Sequence, residues 1–221
     1  MSGVIRRRML GGNTDTVIMT SDTNPKILNI LYNAGYCANP DYMLKSEAES
    51  IVETGKVLWR LFYGKTDLDE DFTAFKYFTG ITYLASPSNQ GVFQNTKLKA
   101  ISLSDSCKAI TYCALKTSGS GLFVYCPNVS NINEKAFKSN GKLILVLDTV
   151  TPPTITTLDF ITNEWGNKLN FEIYVPDTAV QTYKDYFLTF PDITAAGINK
   201  TAAQVAGRVY PISTYSYDWK W

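Results

Sequence analysis

The feature that most constrains the fold is an irregular repeat in the stretch from Thr79 to Val175. One copy begins with Ile101-Ser102-Leu103-Ser104-Asp105, and a second begins with Val124-Tyr125-Cys126-Pro127-Asn128. The two starts are 23 residues apart, and a third start near Leu145 lies 21 residues further on. A unit of this length cannot bury its apolar strand alone, so the units must stack on one another.

A period of about 20–29 residues with one short apolar strand per unit is typical of leucine-rich repeats. We therefore predict an α+β fold, a short irregular leucine-rich-repeat β-solenoid with an N-terminal helical cap and a C-terminal capping helix. Such arrays need caps, because the terminal units would otherwise expose apolar faces. The predicted parts are an extended N-terminal arm (1-23), a helical cap (24-78), the solenoid (79-176), and a C-terminal capping helix with an edge strand and an aromatic tail (177-221).

Local signals place individual elements. Asn24-Pro25 predicts a helix start and Gly35 its end, because Asn caps helices, Pro suits the first turn and Gly suits the residue after the last. The other predicted elements are a helix including residues 46–52, a strand at Val57–Tyr63, a short helix at Asp71–Phe78 with Asp71 near its cap, a last strand at Phe171–Val175, a helix capped by Asp177, and an edge strand at Arg208–Ile212.

The composition restricts the chemistry. The chain has no histidine, which removes the commonest general base, the Ser-His and Cys-His arrangements and most catalytic zinc sites. The formal net charge is +1, so no strong overall field favours nucleic acid. No segment reaches membrane-spanning length. We predict a protein that is not an enzyme and binds no cofactor, no metal and no nucleic acid.

The four cysteines have no C-x-x-C spacing, and Cys107, Cys113 and Cys126 lie inside the repeat. A buried thiol there acts as a small apolar side chain. We predict reduced, buried cysteines in preference to a metal site or disulfides.

Three short motifs resemble catalytic or ligand-binding patterns without completing them. Residues 139–142 match S-x-x-K but lack companion motifs, and Gly64-Lys65-Thr66 lacks the first glycine of a P-loop. Asp67, Asp69 and Asp71 have the spacing of a calcium loop, but Phe72 and Phe78 stand where Gly and Glu are required. An acidic turn is the favoured interpretation.

The two chain ends hold the candidate partner-binding residues. Arg6, Arg7 and Arg8 could contact nucleic acid, but in a nearly neutral chain an anchoring arm on a protein partner fits better. The aromatic tail could fold over its own chain or dock on a partner, since Tyr and Trp are typical interface anchors. The candidates are Arg6, Arg7, Arg8, Met9, Leu10, Tyr215, Tyr217, Trp219 and Trp221.

Several segments across residues 24–212 resemble the BspA-like leucine-rich-repeat family, which is common in gut Bacteroidales and in their phages and prophages. Besides the repeat units, the matching segments are Asn39 to Met43 with Glu47-Ala48, Phe75 to Ile81, and Ile173 to Asp177 with Val180 and Tyr183-Lys184. The resemblance implies short strands on one face of a curved solenoid, and binding to proteins or cell surfaces without catalysis. The repeats here are few, uneven and interrupted, so they do not predict a regular concave surface.

The N-terminus, Met1 to Leu10, resembles the starts of virion-associated proteins from phages of the same bacteria. It is basic, but no apolar segment of a secretory signal follows it. We therefore expect a structural component of a tailed-phage virion, a capsid decoration, fibre or tail-associated protein. It would contact other virion proteins through its arm and be oligomeric or present in many copies, with a host-surface protein or glycan as a further candidate partner. The alternative is a bacterial surface adhesion or protein-interaction module.

Overall fold

The structure, a computed structural model, describes residues 15–52, 57–84, 90–138, 141–162, 170–195 and 198–216. Within these ranges the α-helices are α1 (Pro25–Asn33), α2 (Lys45–Ser50), α3 (Val57–Phe62), α4 (Val180–Leu188) and α5 (Ala202–Ala206). The strands are β1 (Val17–Thr20), β2 (Tyr42–Leu44), β3 (Asp71–Phe72), β4 (Tyr83–Leu84), β5 (Ala100–Ser102), β6 (Ala109–Ile110), β7 (Leu115–Lys116), β8 (Gly121–Cys126), β9 (Asn131–Ile132), β10 (Phe137–Lys138), β11 (Lys142–Leu147), β12 (Thr154–Ile155), β13 (Ile161–Thr162), β14 (Phe171–Val175), β15 (Ile193–Ala195), β16 (Ile198–Lys200) and β17 (Val209–Pro211).

Three parallel sheets organise these strands. The largest has six strands in the order β17-β14-β11-β8-β5-β3, the second has four in the order β12-β9-β6-β4, and the third has three in the order β13-β10-β7. Every pairing within them is parallel. From β5 to β14 the chain visits the three sheets in rotation. The pairs β1-β2 and β15-β16 are antiparallel.

The alignment of the repeat units is confirmed by the strand register. Ile101 pairs with Val124, and Val124 pairs with Leu145. The same row continues to Ile173 and Val209. Each of these side chains is at most 2% exposed, because the row forms the inner face of the six-stranded sheet.

The predicted fold class, an α+β short irregular leucine-rich-repeat β-solenoid, is wrong. The chain is an α/β protein built on parallel sheets, the largest with six and four strands. The prediction assigned one strand to each unit, whereas a unit such as β8-β9-β10 contributes strands to three sheets. The six-stranded sheet also recruits β3 and β17 from outside the predicted solenoid. Strands of two residues are too short to show alternation, so the sequence pattern missed them.

The hydrophobic core runs without a break from Met19 to Val209. At its N-terminal end, rings from α3, β3 and the following turn pack together; Phe62 stacks on Phe93 at 5.1 Å and Phe75 on Phe78 at 5.0 Å. At the other end Phe160 stacks on Phe187 of α4 at 5.9 Å. α3 therefore packs a ring against β3, and α4 packs a ring against the 3₁₀ turn at Leu158–Phe160.

The predicted start and end of α1 hold, but the elements predicted at Val57–Tyr63 and at Asp71–Phe78 differ from the prediction. α1 begins at Pro25, and Gly35 follows its end with φ +78°, as predicted. The strand predicted at Val57–Tyr63 is instead the helix α3, whose Leu58 and Phe62 are both buried. These two residues are four positions apart and share one helix face, so the helical period explains their burial.

Two acidic residues predicted near helix starts have other roles. Asp71 lies in β3, and a 3₁₀ turn at Thr73–Tyr77 follows it. A 3₁₀ turn at Asp177–Ala179 precedes α4, and the Asp177 carboxylate accepts a hydrogen bond from the Ser213 amide. The last strand and the edge strand are confirmed as β14 and β17.

Residues from the C-terminal part close the last edges of the sheets. The Tyr186 hydroxyl accepts a hydrogen bond from the amide of Ile155 in β12, at 3.0 Å. The Lys200 ammonium donates to the carbonyls of Leu158, at 3.1 Å, and of Ile161 in β13. Pro211 in β17 has no amide hydrogen to offer at the edge. These contacts use backbone groups that an open edge would expose.

No helix among the described residues is both long and apolar enough to cross a membrane.

Candidate protein-binding face

The second face of the six-stranded sheet is apolar and rich in aromatic rings. Side chains alternate between the two faces of a strand, so the neighbours of the core row point away from the core. Phe123 pairs with Ile144, and Tyr125 pairs with Val146, which pairs with Tyr174. We call this surface the outer face; it consists of Asp71, Ala100, Ser102, Phe123, Tyr125, Ile144, Val146, Glu172, Tyr174 and Tyr210.

Tyr174 is the centre of the aromatic contacts on the outer face. Its ring centroid lies 4.8 Å from that of Tyr215, at an interplanar angle of 70°. The Tyr174 ring lies 5.7 Å from the Tyr210 ring, and the Tyr215 ring lies 5.7 Å from the Phe123 ring. Each such pair contributes about 0.5–1.5 kcal/mol beyond its buried area. The cluster therefore fixes ring positions as well as excluding water.

Polar groups flank these rings. Lys142 Nζ lies 2.7 Å from Glu172 Oε1, and the Tyr174 hydroxyl donates to Glu172 Oε2 at 3.0 Å. The Tyr125 hydroxyl donates to Asp148 Oδ2 at 2.7 Å. Burial, and next the hydrogen bond to Asp148, raise the pKa of Tyr125 well above its ordinary value. Tyr125 is therefore a neutral hydrogen-bond donor.

The C-terminal segment covers part of the outer face. After Pro211 the chain makes a 3₁₀ turn at Ile212–Thr214, and Ile212 and Tyr215 pack against the apolar cluster. The Ser213 amide donates to Asp177 Oδ1 at 3.1 Å, and hydrogen bonding from Ser213 lowers the pKa of Asp177. Phe123 is consequently only 3% exposed, whereas Tyr210 at the sheet edge is 37% exposed.

Among the predicted binding residues, Tyr215 lies in the described part of the chain, where it packs on Phe123 and Tyr174 of its own sheet. The others lie outside the described residues: Arg6, Arg7, Arg8, Met9, Leu10, Tyr217, Trp219 and Trp221.

Sequence reasoning missed Phe123, Tyr174 and Tyr210 as members of a surface cluster. A signal was present, because residues 121–126 and 142–147 are apolar at nearly every position. Parallel strands with such uninterrupted apolar runs are typically covered on both faces. What covers the second face could not be read from the run itself.

The predicted acidic turn serves as an anchor for α1. Lys26 Nζ lies 2.7 Å from Asp69 Oδ1 and donates to the Asp67 carbonyl at 2.6 Å. The Glu70 carboxylate accepts from the amides of Lys26 and Ile27 at 2.8 and 3.0 Å, at the start of α1. A carboxylate there satisfies free amides and complements the helix dipole.

All four cysteines are buried, reduced thiols, as predicted. Burial raises the pKa of Cys37 to about 11 and that of Cys107 to about 12, so these thiols stay protonated at neutral pH. Across the described ranges, no group of three or more His, Cys, Asp or Glu side chains is arranged to hold a metal ion.

The remaining motif residues in the described part also have structural contacts. Lys142 of the S-x-x-K match pairs with Glu172, and the Gly64 amide donates to the Gln94 carbonyl at 3.0 Å.

Comparison of the chain with models of known protein families, with curated proteins and with solved structures finds no match. The resemblance to BspA-like proteins therefore stays a prediction.

Proposed function

We propose that this protein is a non-enzymatic structural and binding protein of a tailed-phage virion, a capsid decoration, fibre or tail-associated component. Its N-terminal arm, with Arg6, Arg7 and Arg8, anchors it to another virion protein. The observation that carries the binding role is the outer face, where Tyr174 and Tyr210 lie in an aromatic cluster with a charged border. Aromatic residues inside a polar rim are characteristic of protein-contact surfaces.

The contacts of the ionisable groups support a structural role. Glu70 holds the start of α1, Lys200 holds the edge of β13, and Lys142 pairs with Glu172 across two strands. Each of these groups joins elements that are distant in sequence. Their positions are explained by the stability of the fold.

The N-terminal arm supplies the virion part of the proposal. Its resemblance to the starts of virion-associated proteins, and its three consecutive arginines, suit a segment that binds an acidic groove on a neighbouring protein. Many copies on one particle would add avidity, so a weak single contact is enough.

The test uses particles purified by density gradient from cells that carry the gene. We expect the protein in the particle fraction, with cross-links from residues 1–20 to a coat, portal, tail or fibre protein. A variant with Arg6→Glu, Arg7→Glu and Arg8→Glu should be lost from particles while its thermal unfolding is unchanged. Lys108→Glu, at an exposed lysine, is the matched control and should be retained.

Absence of the wild-type protein from particles would contradict the virion assignment, and retention of the triple variant would contradict the role of the arm. The alternative function, a bacterial surface adhesion module, is favoured if the protein is found on the surface of uninfected cells. The aromatic outer face suits that role as well, since it could meet a host protein or glycan.

A further inference from the structure

After β17 the chain turns back across the six-stranded sheet. A 3₁₀ turn at Ile212–Thr214 follows β17, and Tyr215 comes next. The Tyr215 ring lies 4.8 Å from that of Tyr174 in β14 and 5.7 Å from that of Phe123 in β8. In the order of the sheet, β8 is three strands away from β17, which is about 14 Å at the usual spacing of strands. We call residues 212–215 the strap, because they run across the strands and not along them.

β17 is an edge strand, and contacts near both of its ends fasten it to β14. Its ladder with β14 covers only the three residues Val209–Pro211. At its start, the Arg208 guanidinium lies 5.3 Å from the centroid of the Phe171 ring and donates to the Phe171 carbonyl at 3.1 Å. Beyond its end, the Ser213 amide of the strap donates to Asp177 Oδ1 at 3.1 Å. The strap therefore fastens the C-terminal end of β17, as Arg208 fastens the start.

Local hydrogen bonds join the residues of the strap into one unit. The Tyr215 amide donates to the Ile212 carbonyl at 3.0 Å, and the Thr214 hydroxyl donates to the Pro211 carbonyl at 2.7 Å. One part of this unit is bound to Asp177, and the Tyr215 ring at its other end packs on aromatic rings, which attract one another beyond their buried area. Breaking either contact should therefore loosen the whole strap.

We propose that the strap holds the C-terminal end of β17 on the sheet, and that it opens as one unit before the strands separate. The strap itself is partly exposed, whereas Phe123 and Tyr174 below it are 3% and 8% exposed. Each inner strand has two neighbours in the sheet, but β17 has one. Opening the strap breaks fewer contacts than separating inner strands, so it needs less free energy. This inference concerns the fold alone and holds whatever the protein binds.

The experiment is native-state amide hydrogen exchange of the full-length protein, followed residue by residue by NMR. In the wild type, the amides of Ser213 and Tyr215 should open with the same free energy, because they belong to one unit. The Ile173 amide, which donates to β17, should be better protected than these two. The Leu103 amide, which donates to β8, should be the best protected. Equal protection at all four amides would show that the strap does not open separately.

Two variants each break one contact of the strap. Tyr215→Ala removes the ring contacts, and Asp177→Ala removes the acceptor of the Ser213 amide. Tyr215→Ala should accelerate exchange at Ser213, and Asp177→Ala should accelerate exchange at Tyr215, each at least about tenfold, because one unit opens as a whole. Both variants should also accelerate exchange at Ile173, because β17 is then less firmly held, and both should leave exchange at Leu103 unchanged.

Matched controls are Tyr32→Ala on α1 and Asp22→Ala in the turn before it, which make the same changes at exposed positions. Both should exchange like the wild type at all four amides. The proposal is overturned if each strap variant affects only the contact that it removes, or if exchange at Ile173 is unchanged. Equal acceleration at Ile173 and Leu103 would also overturn it, since that would mean a general loss of stability. The wild-type comparison does not depend on whether any variant folds.

Discussion

Lys200 has the most unusual environment of any single described residue. Its side chain is buried, with the residue 4% exposed, and it ties β16 to the carbonyls of Leu158 and Ile161. Burial lowers the pKa of Lys200 to about 8, and the nearby Asp159 opposes this shift. A charged group is thus held in an apolar region by carbonyl dipoles, and this costs stability while the lysine is protonated.

Replacing Lys200 should change how stability depends on pH. Between the folded pKa of about 8 and the ordinary value of 10.5, the unfolded chain binds a proton that the folded chain has lost. Stability contributed by this site therefore rises with pH across that window, by up to about 3 kcal/mol. We expect the difference in unfolding free energy between wild type and Lys200→Met, from urea titrations at several pH values, to rise accordingly.

The wild type must be compared with Lys200→Met because buried thiols titrate in the same pH range. The pKa of Cys107 is raised from 9.0 to about 12, so its contribution to stability is lost as pH rises above 9. This loss occurs in both the wild type and Lys200→Met, so it cancels when their unfolding free energies are subtracted. Lys108→Met, at an exposed lysine, should show no such pH dependence relative to wild type. A flat difference for Lys200→Met would contradict the low pKa.

At the scale of elements, two tyrosines of α4 form hydrogen bonds with β12, at the edge of the four-stranded sheet, and with Thr149 in the segment before it. The Tyr186 hydroxyl accepts a hydrogen bond from the amide of Ile155 in the edge strand β12. The Tyr183 hydroxyl lies 2.8 Å from Thr149 Oγ1 and donates to the Thr149 carbonyl at 3.1 Å. α4 therefore contributes hydrogen bonds as well as apolar contacts at the C-terminal end of the sheets.

Tyr186→Phe should weaken this edge without disturbing the packing of the ring. The variant keeps the contacts with Phe187 and Phe190 but leaves the Ile155 amide without its acceptor. We expect a loss of about 1 kcal/mol in urea unfolding. Amide hydrogen exchange at Ile155 should accelerate. Tyr32→Phe, at a tyrosine that is 40% exposed, is the control and should change neither value. Unchanged exchange at Ile155 would show that the hydroxyl does not close the edge.

At the scale of the whole molecule, stability depends on turns that stack in register. The Cys113 amide donates to the Lys135 carbonyl at 3.2 Å, and the Lys135 amide donates to the Asp159 carbonyl at 2.7 Å. Cys113 and Lys135 both have positive φ, of 55° and 52°, so each turn repeats the geometry of the one before it. Gly91 lies against the first of these turns, where a Cβ atom would be 1.5 Å from the Cys113 carbonyl oxygen.

Gly91→Ala should destabilise the whole protein. The atoms that this Cβ would meet belong to the backbone of Cys113 and Ala114. The Cys113 amide is hydrogen-bonded to the next turn, so only a backbone shift could relieve the overlap. We expect a cost of about 3 kcal/mol or more in urea unfolding. Gly119→Ala is the matched control, because its nearest atom would be 3.3 Å away, and it should cost much less. Equal costs for the two variants would contradict the close approach at Gly91.

The sequence by itself determined the features that depend on local chemistry. Pro25 and Gly35 mark the ends of α1 through their backbone preferences, and the spacing of Ile101, Val124 and Leu145 is the register of the six-stranded sheet. The burial of Cys107, Cys113 and Cys126 followed from their place in an apolar repeat. Each of these outcomes follows from a residue type or from the spacing of apolar residues.

Only the tertiary structure decided the fold class and the outer face. Two-residue strands such as β9 and β10 exist through hydrogen bonds to neighbouring units, which no local pattern records. Tyr215 was predicted to be a contact residue, but its position on Phe123 and Tyr174 depends on where β17 joins the sheet. Lys200 meets Leu158 across 42 residues of chain. Such contacts follow from packing between distant segments, because their energy exists only once the sheets have assembled.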